Sequence, residues 1–343
     1  MICYFISRKE YSLIGCLEAQ SYACAYDLDC GGKSKIVVAG NPGASDGDFV
    51  ILKDGKDVKF KGIIESIDHA DGELKHSISC LEMERLFDRK ILLSEEEIIR
   101  NQGIEDFIAN EIVKNFIASG DAFSDMEYID VEVITHSKVV AKPTTEKGIY
   151  NLKTYIGNAK QNYGIFLDFE FEKDRLKIKI FKKEQSAMKI DTMIADVISC
   201  KETYKVNVLS KLIVVWMNTL TEKESIRFFY MHPNRSISEK NENRVDGTIS
   251  TIYIEAETEE EMIEAARNEF KSNSYSHAIE AEIITASKIY PVADLYVGHE
   301  VMIKTEAAGI QESIISEMAF DDSADVVSVK FGILKVKLTD KLK

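Results

Sequence analysis

Apolar and polar residues alternate with two different periods along the chain, and the changes of period mark its elements. Over residues 1–92 short β-prone runs, Ile36 to Ala39, Asp48 to Lys53, Val58 to Asp68 and Leu74 to Cys80, are separated by Asp54-Gly55 and Asp71-Gly72, dipeptides that favour tight hairpin turns. Several short, regularly spaced hairpins predict a small barrel or sandwich. At Ser94 the pattern changes: Ser94 stands three residues ahead of Glu97, the spacing of a capping box, and a helix is expected to follow. Ile104, Phe107, Ile108, Ile112, Val113, Phe116 and Ile117 recur at three-to-four spacing, the stripe of a helix facing a core.

Residues 148–162 read as a further helix. After Gly164 the period becomes two, with Ile165, Leu167, Phe169 and Phe171 on one face and Leu176, Ile178 and Ile180 following a Lys173-Asp174-Arg175 turn, so residues 164–182 predict a hairpin. Leu212 to Trp216, inside 204–217, is an apolar run that suits a strand buried on both faces. Strands are expected to continue over 222–254 around a polar loop from Asn234 to Asp246. Thr258 with Glu261 forms a second capping box, and Met262, Ile263, Ala266 and Phe270 give its helix an apolar face. From Ala278 to Lys337 the chain returns to strands.

Two segments far apart repeat one pattern. Gly47-Asp48-Phe49-Val50-Ile51-Leu52-Lys53 matches Gly298-His299-Glu300-Val301-Met302-Ile303-Lys304 in its glycine, valine and lysine, with apolar residues between. Gly62-Ile63-Ile64-Glu65-Ser66-Ile67 recurs as Gly309-Ile310-Gln311-Glu312-Ser313-Ile314, with five identities in six, and the connection between the two echoes is four residues shorter in the second copy. Two echoes in the same order predict a duplicated β-module, with the length change taken up in a hairpin loop. The expected fold class is α+β: two related small β-barrel modules with inserted helix and hairpin domains. The corresponding division is 1–93 plus about 190–217 for the first module, 94–189 for an inserted α+β domain, 218–254 plus 290–343 for the second module, and 255–289 for a helix-containing insertion.

Composition narrows the function classes. The 343 residues allow two or three domains, and 45% hydrophobic with 29% charged residues is an ordinary globular balance. A net charge of −15 repels nucleic acid and anionic membrane surfaces. The first ten residues have the wrong order of charge and apolar run for a signal peptide, and no apolar run approaches the ~20 residues of a membrane span. Cys3, Cys16, Cys24, Cys30, Cys80 and Cys200 include no Cys-x-x-Cys pair and read as reduced thiols of a protein made in the cytoplasm.

The "GDFVILKDGKDVKFKGIIESID" hairpin, the "SCLEMERLFDRKILL" segment that leads to helices, and the late "LYVGHEVMIK" and "GIQESIISEM" strand pair together resemble the baseplate hub proteins of contractile phages and the N-terminal part of siphophage tail-associated hub proteins. The resemblance implies a homotrimer in which each chain gives two similar barrels, so that six barrels seat on a hexameric tail tube while the far end presents threefold symmetry. It also implies the partners: the tail tube or distal tail protein, a tape-measure protein, a spike or fibre protein, and DNA in transient passage, without membrane binding by this chain. The expected location is the tail of a virion or tail-like particle, assembled in the cytoplasm of a host bacterium. Many siphophage relatives continue into a C-terminal lytic extension, whereas this sequence ends at Lys343, so the resemblance implies a structural role without catalysis.

Candidate chemistry is sparse. Gly31-Gly32-Lys33-Ser34 ends like a phosphate-binding loop but has Asp27 where that loop needs a glycine, which favours a turn. Asp27 and Asp29 lack the further oxygen ligands of a calcium loop. His69, His76, His136, His232, His277 and His299 form no zinc-hydrolase motif, and His69 and His76 read as a surface pair across a hairpin. Glu95 to Glu97 and Glu259 to Glu261 read as helix-start charges rather than the paired carboxylates of a glycan hydrolase. Asn234-Arg235-Ser236 is a glycosylation pattern with little meaning in a protein without an export signal. No catalytic, cofactor or metal residue is nominated. The alternatives are a cell-wall-degrading tail-tip enzyme and a carbohydrate-binding β protein.

Overall fold

In the computed structural model the described residues are 1–69, 74–93, 102–137, 143, 148–183, 188–204, 209–232, 236–274, 277–307 and 309–332. The described residues are mostly β, with 53% of them in strands and 15% in helices, an α+β composition. The chain divides into two compact units. The first is Met1–Met188 with Ile283–Glu300 and Glu317–Val329, and the second is Lys189–Glu282 with Val301–Ser316 and Lys330–Lys343.

Six strands open the first unit: β1 (Ile2–Ile6), β2 (Leu13–Asp27), β3 (Lys33–Ala39), β4 (Phe49–Asp54), β5 (Asp57–His69) and β6 (Lys75–Glu82). All their pairings are antiparallel, in the order β1-β4-β5-β6-β3-β2, and β2 pairs with β1 again, so the ladder returns to its starting strand. Alternation supplies the core of this ring: Cys3, Phe5, Ile36, Val38, Val50, Leu52, Phe60, Ile64, Ile78 and Cys80 are buried together. The Asp54-Gly55 turn links β4 to β5, with Gly55 at a φ of 58° that suits glycine. Asp71-Gly72 lies outside the described residues.

A 3₁₀ turn (Met83–Phe87) leads from β6 into inserted material. There β7 (Lys90–Leu92) pairs with β9 (Ile149–Asn151), while β8 (Ile129–Val133), β10 (Ile165–Phe171) and β11 (Leu176–Lys182) form a sheet in the order β10-β11-β8. Helices α1 (Ile104–Ile112) and α2 (Leu152–Tyr163) pack with this sheet around one apolar cluster that includes Phe107, Ile108, Leu152, Ile156, Phe169 and Ile178. The 164–182 hairpin forms in the expected register, Ile165 opposite Lys182 and Phe171 opposite Leu176.

Two expectations in this region change. Val113, placed on the buried stripe of α1, is 42% exposed. At 100° per residue Val113, whose N–H still bonds to the Ala109 carbonyl, stands about 180° round the helix from Ile104 and so falls off the buried stripe, and only beyond it does the winding turn from α to π, where Ala118 N–H bonds to the Val113 carbonyl. The helix expected at 148 starts at Leu152, because 149–151 pair as a strand first and the Asn151 side chain then accepts the Thr154 N–H as a cap. The Ser94–Glu97 capping box lies outside the described residues.

The second unit contains β12 (the pairing of Met188–Asp191 with β19), β13 (Val197–Tyr204), β14 (Leu209–Asn218), β15 (Lys223–Met231), β16 (Ile237–Ser238), β17 (Thr248–Ala256) and helix α3 (Glu259–Ser274). β14 to β17 make a mixed sheet, β16-β15-β14-β17, with β14 parallel to β17. Thr258 Oγ1 accepts the Glu261 N–H, as the capping box predicts, but the Glu261 carboxylate reaches back to the amide of Glu257. Met262, Ala266 and Phe270 of α3 are fully buried against Leu212 and Val214. On one face of β14 Leu212 and Val214 are fully buried and Trp216 half-buried, while Lys211, Ile213, Val215 and Met217 on the other are half-buried, a correction to the strand expected to be buried on both.

The chain ends through β18 (His277–Ile284), β19 (Glu300–Thr305), β20 (Gly309–Asp321) and β21 (Val326–Phe331). Strand order here reads β12-β19-β20-β21-β18-β13. Replacing each strand by its rank in its own set of six turns this into the first order, β1-β4-β5-β6-β3-β2. Strands within 188–218 pair with β15, β17, β18 and β19 and, among the described residues, with none of β1–β6.

The sequence repeat falls on corresponding hairpins, β4–β5 and β19–β20. Gly47 and Gly298, with φ of 85° and 93°, hold the same place ahead of their strands, in a conformation that favours glycine. The second echo is not structurally aligned: Gly62 is inside β5 opposite Val50, whereas Gly309, with φ of 70°, opens β20. The length difference between the copies is therefore paired strand in the first copy and not loop.

Gly62 also admits no side chain, since a Cβ there would meet the Leu81 carbonyl oxygen and the Phe60 ring, each at 2.5 Å. Gly62→Ala is expected to lower stability by about 1–3 kcal/mol through overpacking. Gly15→Ala, whose Cβ would meet nothing within 4 Å, should be close to neutral, and urea unfolding midpoints compare the two.

Candidate functional site

The chemically unusual group of the first unit is a buried cluster of charge. Glu82 ends β6, Glu84 follows in the 3₁₀ turn, Cys30 sits in the β2–β3 turn with a φ of 52°, and Lys160 projects from α2. The Lys160 ammonium lies 3.1 Å from Glu84 Oε1 and 3.6 Å from Cys30 Sγ, with the lysine side chain only 7% exposed. Glu82 Oε1 accepts the N–H groups of Asp27 at 3.0 Å and Gly32 at 3.3 Å.

Helix spacing brings these groups together. Lys153, Gly157 and Lys160 stand four and three residues apart, on one face of α2. Lys153 donates to the Asp29 carbonyl at 3.2 Å, and a Cβ on Gly157 would lie 3.2 Å from the Leu28 carbonyl oxygen, so the helix seats closely on the β2–β3 turn. Gly32 keeps that turn tight, because a Cβ there would lie 2.5 Å from the Ala25 carbonyl oxygen. The Gly31-Gly32-Lys33-Ser34 segment is thus a turn whose amides are taken by Asp27 and Glu82.

Burial sets the charge states. It pushes the Glu82 carboxyl from its ordinary 4.5 up to about 8, against the pull of the Lys160 ammonium and with the help of the nearby Glu84 charge. It also pushes the Cys30 thiol well up, and although burial opposes charge on Lys160, its acidic neighbours shift that ammonium upward, Glu84 in direct contact with it. Burial thus favours the neutral carboxyl at Glu82 and the neutral thiol at Cys30, beside the Lys160–Glu84 ion pair.

Cys30, Glu82 and Glu84 present donor atoms within 4.8 Å of one another, but the ammonium of Lys160 supplies the cation among them. The two glutamates are close enough to suggest glycan hydrolysis, yet both are buried and already engaged, one by an ammonium and one by two amides. The arrangement anchors the inserted helix to the ring. A cleft of about 1120 Å³ opens beside it, lined by Glu82, Glu84 and Lys160 together with Lys61, Asp168 and Tyr296.

The other groups considered from sequence do not converge on this cluster. His69 and His76 are cross-strand partners with rings stacked at 4.5 Å, the surface pair expected of a hairpin. His136 meets Asp106 at 2.9 Å, His232 meets Ser238 at 2.8 Å, and His299 meets the Asp294 carbonyl at 3.1 Å. Glu259 pairs with Arg227, and the Glu261 carboxylate accepts the Glu257 N–H just ahead of α3, as helix-start charges do. Glu95 to Glu97 and Asn234-Arg235 lie outside the described residues. The cluster itself had one sequence signal, two glutamates alternating with apolar residues over Cys80–Glu84, but its partners are 50 and more residues away.

No family model matches the sequence, and no curated protein matches it. Solved structures do. The prophage tail protein gp18 from Listeria monocytogenes EGD-e superposes with a TM-score of 0.60 at 11% identity, covering 100% of this chain and 97% of that one. The tail protein from Neisseria meningitidis MC58 gives 0.59 at 9% identity, with 96% of each chain covered. The 43 kDa tail protein of prophage MuSo2 from Shewanella oneidensis gives 0.56 at 13% identity, covering 96% and 98%. The chain has the fold of these phage tail proteins over nearly its whole length.

Two measurements test the cluster. Lys160→Met leaves a buried carboxylate without its cation and should cost about 3–5 kcal/mol, most of it recovered in Lys160→Met/Glu84→Met. Because the folded-state pKa of Glu82 lies above its unfolded value, the native protein holds a proton that the unfolded chain releases, and stability should fall as pH rises from 4.5 towards about 8. Urea titrations across that range should show a flatter profile for Glu82→Gln.

Proposed function

We propose that this protein is a structural hub at the distal end of a phage tail or tail-like particle, working as a homotrimer that adapts a sixfold tail tube to a threefold tip. The observation that supports it is the strand order, the same sequence of five pairings among six strands in β1–β6 and in β12, β13 and β18–β21. We read each set as a small barrel module, so that three chains present six near-equivalent modules to the tube. The full-length likeness to prophage tail proteins supports the same reading.

The pairings favour a domain division different from the one drawn on the sequence: 1–93 as the first module, 94–187 as its following insertion, 188–204 with 277–332 as the second module, and 209–274 as an insertion between its second and third strands. The proposed partners are the tail tube or distal tail protein, a tape-measure protein and a spike or fibre. The acidic balance suits transient passage of DNA, because a negative surface does not hold the duplex. Symmetry matching by buried interfaces is work without chemistry, and the engagement of Glu82 and Glu84 in the fold accords with a non-enzymatic role.

Sedimentation across concentrations tests the reading: a trimer, or a monomer that trimerises as concentration rises, is expected. A cell-wall zymogram should show no clearing; clearing abolished by changing one carboxylate would replace the hub with a lytic enzyme.

A further inference from the structure

The two sets of strands differ in which edges are occupied. β2 uses the edge opposite β3 twice: its first residues pair with β1, and Ala23–Asp27 pair antiparallel with Glu317–Asp321, the last five residues of β20. By strand order β20 holds in the second set the place of β5 in the first, and β13 holds the place of β2. β5 and β20 are each 13 residues long. A ladder of the β2–β20 type therefore has a counterpart between β13 and the last five residues of β5, Glu65–His69.

Both of those edges lack a strand among the described residues. β4 covers β5 over Asp57–Ile63 and β6 takes the opposite side, which leaves Glu65–His69 with no strand on the β4 side. β13 has one strand neighbour, β18. Its Ile198 is 59% exposed, and Ser199, Cys200 and Lys201 are exposed beside it. An edge strand left open to solvent is a template for another chain, and natural proteins normally blunt it. Lys201 also brings positive charge towards a strand that carries the exposed Asp68.

We propose that β13 of one chain and Glu65–His69 of a second copy form an antiparallel ladder that repeats between chains the pairing made within the chain by β2 and β20. The proposal rests on the trimeric hub reading and names its subunit contact. The two edges belong to different surfaces, so the contact is heterologous, each chain giving β13 to one neighbour and β5 to the other, and such contacts close into a ring. Backbone hydrogen bonds supply the affinity, as in other strand additions.

Disulfide trapping tests it. In a Cys16→Ser background Cys200 is the remaining solvent-exposed cysteine, since Cys3, Cys24, Cys30 and Cys80 are buried. Glu65→Cys, Ser66→Cys, Asp68→Cys and His69→Cys are introduced one at a time, at positions that are exposed or half-exposed. Neighbouring strands stand about 5 Å apart, within reach of a disulfide. Mild oxidation of the trimer should link chains covalently for at least one variant, and Cys200→Ser should abolish the link. A trimer that gives no link at any of the four positions overturns this ladder and leaves the hub standing. A wild-type protein that stays monomeric at every concentration overturns both.

Discussion

Every strand edge in this protein carries a row of backbone donors and acceptors that must find partners, and that requirement organises the molecule. In β1–β6 it is met largely by closure, since β2 pairs back onto β1 and each of the six strands has a neighbour on both sides along part of its length. The long strands then do double duty: β2 still has five residues to spare after β1, and β20 fills them. The apolar interior follows from the pairing, because alternation along each strand sends Phe5, Leu52, Phe60 and Ile78 to the same side.

Attaching a helical insertion to such a ring needs a contact that tolerates little sliding, and the buried Lys160–Glu84 pair with Glu82 and Cys30 provides it. A buried ion pair adds little net stability over apolar packing, but its geometry penalises displacement, because a shifted helix would strand a charge away from water. Close approach reinforces it through Gly157 on the helix and Gly32 in the turn. The aromatic stack of Tyr11 on Tyr128, at 4.7 Å, ties the β1–β2 turn to the same insertion.

Duplicated strand order links this architecture to the proposed work in a tail. Three copies of a chain offer only three identical surfaces, and a sixfold partner is matched only if each chain carries the surface twice. The insertions fall at different places in the two sets of strands, one after the sixth and the other between the second and third. They leave the pairing order untouched, as expected where length changes enter through connections.

Local periodicity determined much of the chain by itself. The hairpin of 164–182, the Thr258 cap with its helix and the turn at Asp54-Gly55 were legible because each depends on residues within a few positions of one another. Tertiary structure alone decided the rest. The strand pairing that delays α2 to Leu152 and the uneven burial of the two faces of β14 depend on a distant partner. So does the alignment of the repeat, where pairing to Val50 places Gly62 inside a strand and a turn places Gly309 at the start of one. The charged cluster joins residues 30, 82, 84 and 160, and no pattern in a linear sequence shows that a lysine and two glutamates will be sealed from water together; that follows only when the ring closes and the helix lands on it.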